Sequence, residues 1–389
     1  MTLALTVIAA IALGAWLWML ALRGGFWLAR ERDDAETTPA PPAEWPAVVA
    51  VVPARNEADV VARSVGSLLA QDYAGDFRVI LMDDASEDGT ADVARQAARD
   101  LGREDRLQVV TGAPLPAGWT GKLWAVSQGV AKAMERDGGA PKYLLLTDAD
   151  IAHTPDNLSA LVARAEAEDR VLVSLMAKLC VETWAERLLI PAFVFFFDML
   201  YPFGWVNDPR NRTAAAAGGV MLARADALAA AGGIAAIRTA IIDDCTLGAK
   251  MKTQGSIWLG LTDRARSLRP YQSLAEIGRM VSRSAYAQLN YSPWLLAGTL
   301  VGMLLVYVAA PALTFAADGW PRWLGLAAWT AMAVAFQPML AFYRRSPLWG
   351  FALPLIGALY CLFTVQSAVA VWQGKGGMWK GRAQAMAGA

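Results

Sequence analysis

Two aspartates, Asp148 and Asp150, follow directly after a run of apolar residues, Tyr143 to Thr147. A short continuous apolar run is typical of a strand buried on both faces of a parallel sheet. Such sheets bind ligands at the carboxyl ends of their strands, where two carboxylates spaced i, i+2 can face one Mg²⁺ or Mn²⁺ ion. The pair therefore predicts a metal and diphosphate site. Taken alone, a capped turn before the helix near Pro155 explains it equally well.

A single lysine, Lys122, follows a loop bracketed by Gly118 and Gly121 and precedes an apolar helix pattern. An ammonium group is a suitable contact for a diphosphate. The spacing differs from the G-x-x-x-x-G-K-[ST] of a P-loop, so charge alone makes Lys122 a candidate. An ordinary surface lysine after a turn is the alternative.

The one histidine of the chain, His153, lies three residues past Asp150. Its position makes a metal ligand conceivable, because imidazole is a common ligand. Pro155 and Asp156 lie close behind it, however, and these residue types favour turns. We therefore interpret His153 as a residue that shapes the turn into the following helix.

Strand and helix patterns alternate along the part of the chain that carries these residues. Mostly apolar segments typical of strands cover residues 47–52, 78–82, 107–110 and 143–147. Helical spacing of apolar residues lies between the first three runs, which predicts an α/β fold with a mostly parallel sheet flanked by helices. Because these strands end in polar, acid-bearing loops, the loops are expected to converge at one sheet edge and form a nucleotide site.

Composition indicates an integral membrane protein with a soluble part, since 56% of the 389 residues are hydrophobic. The formal net charge is zero and no block of like charge occurs, so a nucleic-acid partner is not expected. Three cysteines lie far apart and predict neither a disulfide framework nor a zinc site.

Four stretches are long and apolar enough to span a bilayer. The first, Leu3 to Leu22, is followed rather than preceded by arginines, which favours a membrane anchor over a cleaved signal peptide. The same arginines predict that the domain after the anchor is cytoplasmic. The others lie at about 294–317, 323–343 and 348–372.

Charges near the last stretches do not fit a simple count of spans. Arg344 and Arg345 fall on the cytoplasmic side, as the positive-inside rule requires. If all four stretches cross the membrane, the opposite side receives Lys375, Lys380 and Arg382. Two explanations stay open: one C-terminal stretch is re-entrant, or the number of spans differs from this count.

Two further segments are predicted to lie at the membrane surface. Leu188 to Trp205 is rich in phenylalanine but is interrupted by two prolines and Asp198, so we interpret it as interfacial rather than spanning. Glu276 to Asn290 has the pattern of an amphipathic helix. The predicted parts are an anchor (1–32), a linker (33–45), a soluble domain (46–270), an interfacial helix (271–292), about three transmembrane helices (293–373) and a tail (374–389).

Three motifs resemble the family 2 glycosyltransferases of the GT-A fold: Val51 to Glu57, Met82 to Thr90 and Thr147 to Asp150. They occur in this order on successive strand ends, and the resemblance covers about residues 46–265. It implies transfer of a sugar, with inversion, from a nucleotide-diphosphate donor such as a UDP-sugar. It also implies a divalent metal, Mg²⁺ or Mn²⁺, held by Asp148 and Asp150.

The resemblance assigns further residues to the donor. Glu57 would lie near the ribose, and Asp83 or Asp84 would hydrogen-bond the base. The residues implied in donor binding are Pro53, Arg55, Asn56, Glu57, Asp83, Asp84, Lys122 and Asp148.

An acidic pair, Asp243 and Asp244, follows a small and flexible segment, Thr213 to Leu222. The segment resembles the lining of the donor-sugar and acceptor pocket in the family. By the same resemblance the pair is catalytic, and Asp244 is the candidate base that takes the proton of the acceptor hydroxyl. An ordinary acidic cap of the helix through Leu247 is the alternative.

Within the family, the chain is most similar to the bacterial hopanoid-biosynthesis-associated glycosyltransferases. The likeness lies in the anchor, the loop Trp119 to Trp124, the segment that ends at Phe197 and the C-terminal hydrophobic cluster. It implies a membrane lipid acceptor, a hopanoid, and a multi-pass protein of the bacterial inner (cell) membrane. The Q-x-x-R-W motif of processive and ceramide-type relatives is not met near Arg279 to Ser284. A polysaccharide or ceramide-type enzyme and a non-catalytic membrane scaffold are the alternatives.

Overall fold

A computed structural model of the chain describes residues 2–34, 39–135, 139–374, 378–379 and 382–383. Parts of the predicted linker and tail, residues 35–38, 375–377, 380–381 and 384–389, lie outside the described residues. The chain divides into two compact units. The helical unit comprises Met1–Arg30, Val181–Gly204 and Pro270–Gly376, and the sheet unit comprises Glu31–Cys180, Trp205–Arg269 and Gly377–Ala389.

The sheet unit is built on an eight-stranded mixed sheet within the described residues. Its strands are β1 (Val48–Ala54), β2 (Phe77–Asp83), β3 (Leu107–Thr111), β4 (Tyr143–Thr147), β5 (Ile151–His153), β6 (Leu172–Lys178), β7 (Val220–Arg224) and β8 (Ile257–Ser267). The order is β3-β2-β1-β4-β7-β6-β8-β5. Four pairings are parallel, and β7 pairs antiparallel with both β4 and β6, as β5 does with β8. The predicted α/β sheet flanked by helices is therefore present. The four predicted strands, β1 to β4, pair in parallel with one another, and β6 and β8 form a further parallel pair that was not predicted.

The helices of both units follow the order of the chain. They are α1 (Thr2–Leu22), α2 (Val61–Leu69), α3 (Thr90–Asp100), α4 (Gly121–Met134), α5 (Asn157–Ala167), α6 (Trp184–Leu200), α7 (Phe203–Asn207), α8 (Ala225–Ala230), α9 (Asp243–Lys252), α10 (Leu274–Ser282), α11 (Ala285–Gln288), α12 (Pro293–Met303), α13 (Ala309–Ala316), α14 (Trp320–Phe342) and α15 (Leu353–Trp372). Residues Leu304–Val308, between α12 and α13, form a π-helical turn.

The sheet is covered by helices whose apolar faces match the sequence pattern. All seven residues of β1 and all five of β4 are buried, which explains their continuous apolar runs. Helix α4 lies especially close to the sheet at Gly129, where an added Cβ would lie 2.4 Å from Val51 Cγ1. This close packing holds the first turn of α4, and with it Lys122, beside the ends of β1 and β4.

Four helical stretches among the described residues are long and apolar enough to cross a membrane: Thr2–Leu22, Pro293–Ala316, Trp320–Phe342 and Pro347–Trp372. They coincide with the four stretches found in the sequence. Many of their large apolar side chains point outward, for example Leu3, Trp294 and Leu348, which are 78%, 86% and 75% exposed. Outward apolar residues of this density are typical of helices that contact lipid.

The phenylalanine-rich segment is not an exposed interfacial surface, contrary to the prediction. It forms α6, whose Phe195 and Phe196 are buried inside the helical unit. Phe195 packs on Phe336 of α14, with ring centroids 5.1 Å apart, and Phe196 packs on Tyr360 of α15 at 4.9 Å. Protein side chains, rather than a membrane surface, therefore cover these two rings.

The predicted amphipathic helix over 276–290 is divided in two, since α10 ends at Ser282 and α11 begins at Ala285. Its apolar face packs on α15: an added Cβ at Gly278 would lie 2.8 Å from Phe363, and Ser282 donates a hydrogen bond to the Phe363 carbonyl. The helix break and this packing place α10 and α11 within the helical unit.

Candidate active site

The loops after β1 and β2 interlock and form one side of the site. The Arg55 guanidinium donates to the Asp84 and Ala85 carbonyls. Asn56, which has a positive φ of 52°, receives the Glu87 amide on its side-chain oxygen at 2.9 Å. These bonds fix the two predicted donor-binding loops against each other, so Arg55 and Asn56 act on the shape of the loops as well as on any ligand.

Asp83 and Asp84, the candidates for contact with the base, are both buried at the end of β2. Asp83 accepts the Ser86 amide at 3.2 Å, which shapes the turn after the strand. Asp84 Oδ2 lies 3.9 Å from Arg55 Nη1 and forms an ion pair with it. Pro53 is the sixth residue of β1 and pairs in register with Met82.

Lys122 joins two predicted site regions that are far apart in the sequence. Its Nζ lies 2.9 Å from Asp148 Oδ1 and 3.3 Å from Asp243 Oδ2. Thr120 caps α4 by accepting the Leu123 amide, and this cap sets the direction in which the helix begins. Burial opposes the charge of Lys122, but the carboxylates of Asp148 and Asp243 outweigh burial and raise the pKa of the ammonium group. Lys122 is therefore a permanent cation between two acids.

Asp150 lies in a second group of charges, centred on Arg269. Arg269 forms ion pairs with Glu57 and Asp59, and its Nε lies 3.7 Å from Asp150 Oδ2. Burial raises the pKa of Asp150 to about 6, and the nearby carboxylates of Asp148 and Glu57 add to the shift. Negative charge is therefore in excess around Asp150, despite the arginine.

Arg269 is the charged residue of the site that the sequence reasoning missed. It lies just beyond β8, about 210 residues from its partners Glu57 and Asp59. Its one sequence signal is its place in a polar stretch at the end of a long apolar strand. That signal does not identify which residues it will meet.

Asp244 lies in the first turn of α9, close to the small segment after α7. Its two carboxylate oxygens accept the Gly218 amide at 3.0 Å and the Cys245 amide at 2.7 Å. Desolvation and the neighbouring charge of Asp243 raise the pKa of Asp244 to about 6, against the opposing effect of Lys122. The carboxyl group is thus held in place and can exchange a proton near neutral pH.

Small residues in the segment before β7 allow this arrangement. An added Cβ at Gly248 of α9 would lie 2.7 Å from the Ala215 carbonyl carbon, and one at Gly219 would lie 3.2 Å from Ala177. Helix α9 can therefore approach the segment closely, and the Gly218 amide reaches Asp244. The predicted pocket segment and the predicted acidic pair do lie together.

His153 has a structural role, as interpreted from the sequence. It is buried, with Nε2 3.1 Å from Thr147 Oγ1 and Nδ1 2.7 Å from the Asn157 amide. Desolvation lowers the pKa of the ring to about 4, so it is neutral at physiological pH. Both ring nitrogens are occupied by protein groups, which leaves neither for a metal.

Asp148 and Asp150 fit a divalent cation that is shared with a ligand. Among the described residues, no three His, Cys, Asp or Glu side chains converge to hold a metal by themselves. Two carboxylates lie at one strand end, and burial together with the repulsion between them raises the pKa of Asp150, so a hard cation placed there would relieve unbalanced charge. Mg²⁺ and Mn²⁺ commonly bind through one or two carboxylates and complete their shell with water and phosphate oxygens.

The chain is similar to known glycosyltransferases in sequence and in fold. Residues 49–228 match the family model described as Glycosyl transferase family 2. A curated N-acetylglucosaminyltransferase of Rhizobium leguminosarum bv. viciae is 30% identical over 226 residues, which are 57% of this chain and 47% of that protein. The chain thus spans about half the length of this relative.

One solved structure shares the fold over nearly the whole chain. It is a mannosyltransferase from Pyrobaculum calidifontis in complex with GDP-Man and Mn²⁺, with a TM-score of 0.55 and 19% identity. The similarity covers 95% of this chain and 99% of that one, and it confirms the expected GT-A fold. Asp148 and Asp150 lie inside the residues matched by the family model, whereas Asp243, Asp244 and Arg269 lie beyond them.

Proposed function

We propose that this chain, which carries a glycosyl transferase family 2 domain over residues 49–228, transfers a sugar from a nucleotide-diphosphate donor to a lipid in the membrane that holds it. The observation that carries the proposal is the position of Lys122 between Asp148 and Asp243. It brings the predicted metal and phosphate side of the site into contact with the predicted catalytic pair. A reaction at the donor's anomeric carbon needs both in one place.

The donor is proposed to bind across the ends of β1, β2 and β4. Glu57 and Asp83 or Asp84 would contact the nucleoside. Lys122 would stay paired with Asp243 and exchange Asp148 for phosphate oxygens. Asp148 and Asp150 would hold Mg²⁺ or Mn²⁺, which supplies positive charge to the departing diphosphate. A UDP-sugar with a hexose is the finer proposal, supported by the name of the Rhizobium relative, an N-acetylglucosaminyltransferase.

Asp244 is proposed as the general base. Its carboxylate takes the proton of the acceptor hydroxyl as that oxygen attacks the anomeric carbon from the side opposite the diphosphate. The new carbon–oxygen bond forms while the bond to the diphosphate breaks, and the configuration inverts. Asp243 would keep Lys122 oriented through their ion pair, and Asp244 would be the acid of the pair that takes the proton.

The acceptor is proposed to be a membrane lipid with a hydroxyl group, with a hopanoid as the specific candidate. Support comes from the four candidate spans on both sides of the sheet unit in the sequence. Apolar area removed from water is worth about 25 cal/mol per Å², so a largely apolar acceptor would stay in the bilayer. The placement is a multi-pass protein of the bacterial inner membrane with the sheet unit in the cytoplasm.

The direct test incubates membranes that contain the protein with a panel of labelled nucleotide sugars. Label in the lipid extract, with release of the nucleoside diphosphate, is the expected result. Label that appears in water-soluble product alone would exclude a lipid acceptor but keep the transferase. No release from any donor would favour the non-catalytic scaffold, and a labelled polymer would favour a polysaccharide enzyme.

The transfer rate should depend on pH through Asp244. The base works when it is ionised, and its pKa is raised to about 6. The rate at saturating donor should therefore fall as the pH drops through about 6 and level off above about 7. Initial rates between pH 5 and 8, with a check that the protein stays folded, measure this. A rate that is constant down to pH 5 contradicts the assignment.

Arg269→Ala should weaken donor binding more than it slows the chemical step. The change leaves Glu57 and Asp150 without their arginine, so the donor-binding loop loses a charged anchor. The donor KM should rise about tenfold, as expected for loss of a charged hydrogen bond, with a smaller change in kcat. Arg266→Ala is the control, because Arg266 is more exposed and pairs at 3.9 Å with Asp263. An equal effect of both changes would contradict this role.

A further inference from the structure

The directions of the helices in the helical unit conflict with four crossings of a membrane. Helix α1 runs antiparallel to the α12–α13 stretch, because Trp16 donates to the Val306 carbonyl while Ala9 packs on Leu313 and Ala317. The carboxyl end of α1 and the amino end of α12 therefore lie on one face of this unit. In the sequence, α1 leads into the sheet unit, and the chain returns from the sheet unit into α10, α11 and α12.

Helix α14 also runs antiparallel to α13, as four crossings would require. An added Cβ at Gly325, early in α14, would lie 2.8 Å from the Ala310 carbonyl oxygen and 3.2 Å from Leu313 Cβ, late in the preceding stretch. The ring of Phe315 lies 5.5 Å from that of Trp329. Helix α14 therefore returns the chain to the face on which α1 ends.

Helix α15 runs in the same direction as α14, which is the unexpected feature. Gly357, near its start, packs on Tyr307, whereas Ala368, near its end, packs on Leu296. The end of α15 thus lies beside the start of the α12–α13 stretch, and the start of α15 lies farther along that stretch, so the two are antiparallel. Since α14 and α15 are both antiparallel to α12–α13, they are parallel to each other, and the chain must turn back between them.

The turn back is made by the 3-10 stretch Pro347–Ala352. Gln337 donates to the Pro347 carbonyl at 3.2 Å, and Trp329 donates to the Phe351 carbonyl at 3.1 Å. At 1.5 Å per residue, Trp329 lies roughly 20 Å from the end of α14, so the chain has returned to about the middle of that helix. Helix α15 starts there.

From these directions we infer that Pro347–Ala352 and α15 form a re-entrant segment, which enters the membrane from the face where α14 ends and returns to that face. This inference rests on the proposed membrane placement of the helical unit. Irregular backbone at membrane depth is tolerated when protein groups satisfy it, and the Gln337 and Trp329 side chains do so for two carbonyls. Leu348 and Leu355, 75% and 59% exposed, present apolar surface to lipid.

The segment also resolves the charge conflict found in the sequence. With three crossings and one re-entrant segment, α15 ends at Trp372 on the face that carries Arg344 and Arg345. Lys375, Lys380 and Arg382 then obey the positive-inside rule.

Cysteine labelling tests the inference without any measurement of activity. In a chain with Cys180, Cys245 and Cys361 replaced by serine, single cysteines are introduced by Glu104→Cys, Asp318→Cys or Gln373→Cys. A membrane-impermeant thiol reagent is then added to right-side-out and to inverted vesicles. Asp318 lies between α13 and α14, Glu104 belongs to the sheet unit, and both are exposed.

The cysteine at 373 should be labelled in the vesicle orientation that labels the cysteine at 104. It should not be labelled in the opposite orientation, in which the cysteine at 318 is labelled. Labelling of 373 together with 318 would overturn the re-entrant segment and restore a fourth crossing. Labelling of 104 and 318 from one side would instead contradict the membrane placement itself. If the variant at 373 accumulates poorly, Trp372→Cys, at a side chain 59% exposed, gives the same readout.

Discussion

Asp150→Asn should reduce sugar transfer by about 10²-fold or more, the loss that follows removal of one group that stabilises transition-state charge. The substitution removes one of two carboxylates proposed to hold the cation on the diphosphate. It keeps the size of the side chain, so the fold should be unchanged. Release of nucleoside diphosphate from the labelled donor measures the effect, with a thermal unfolding curve of the purified protein beside it.

Chelation provides the matching experiment on the unchanged protein. EDTA should stop transfer, and Mg²⁺ or Mn²⁺ should restore it. Asp208→Asn is the control substitution, because Asp208 is an acid of the same type whose partner is the neighbouring Arg210. Full turnover in EDTA, or in the Asp150 variant, would show that the two carboxylates do not act through a metal.

Asp244→Asn should lower the transfer rate by roughly 10²–10⁴-fold, the range for a positioned general base. The single side-chain oxygen of asparagine can still accept the Gly218 amide, although the Cys245 amide loses its acceptor, so the contact between α9 and the segment before β7 should remain. Donor affinity should therefore stay close to that of the unchanged protein. Single-turnover rates and donor binding, measured on the same preparation, separate the two effects.

Asp243→Asn distinguishes the two acids of the pair. Asp243 contacts Lys122, so its loss should disturb phosphate binding and raise the donor KM. The residual activity of the Asp243→Asn protein should still fall as the pH drops through about 6. The residual activity of the Asp244→Asn protein should no longer show this fall. If the Asp243 change removes the fall and the Asp244 change does not, the base has been assigned to the wrong residue.

Strands β1, β2 and β4 could be predicted because nearly all of their residues are buried and apolar, whereas β3, at the sheet edge, is only partly buried. The observed β1, β2, β3 and β4 begin and end within a few residues of the predicted ones. The mixed half of the sheet could not be predicted in this way. Strand β7 pairs antiparallel with β4 and β6, and pairing direction depends on how the chain returns across the sheet rather than on local pattern.

Asp83, Asp84, Asp148 and Asp150 could be named from the sequence because they follow recognisable strands, whereas Asp243 and Asp244 were named from the family resemblance. Their partners could not, since Lys122 meets Asp243 across about 120 residues and Arg269 meets Glu57 across about 210. Such pairs depend on the folded arrangement of whole elements. Similarly, composition showed that Phe195 and Phe196 avoid water, but not that α14 and α15 cover them.

The place of α6 in the chain decides which pieces of the protein can be produced alone. Sheet-unit residues precede and follow this helix, yet residues 181–204 belong to the helical unit. A fragment cut at residues 46 and 270 would carry α6 without Phe336 and Tyr360, and the rings of Phe195 and Phe196 would lie bare. An apolar patch of that kind promotes aggregation. A soluble fragment should therefore need residues 181–204 exchanged for a short polar loop.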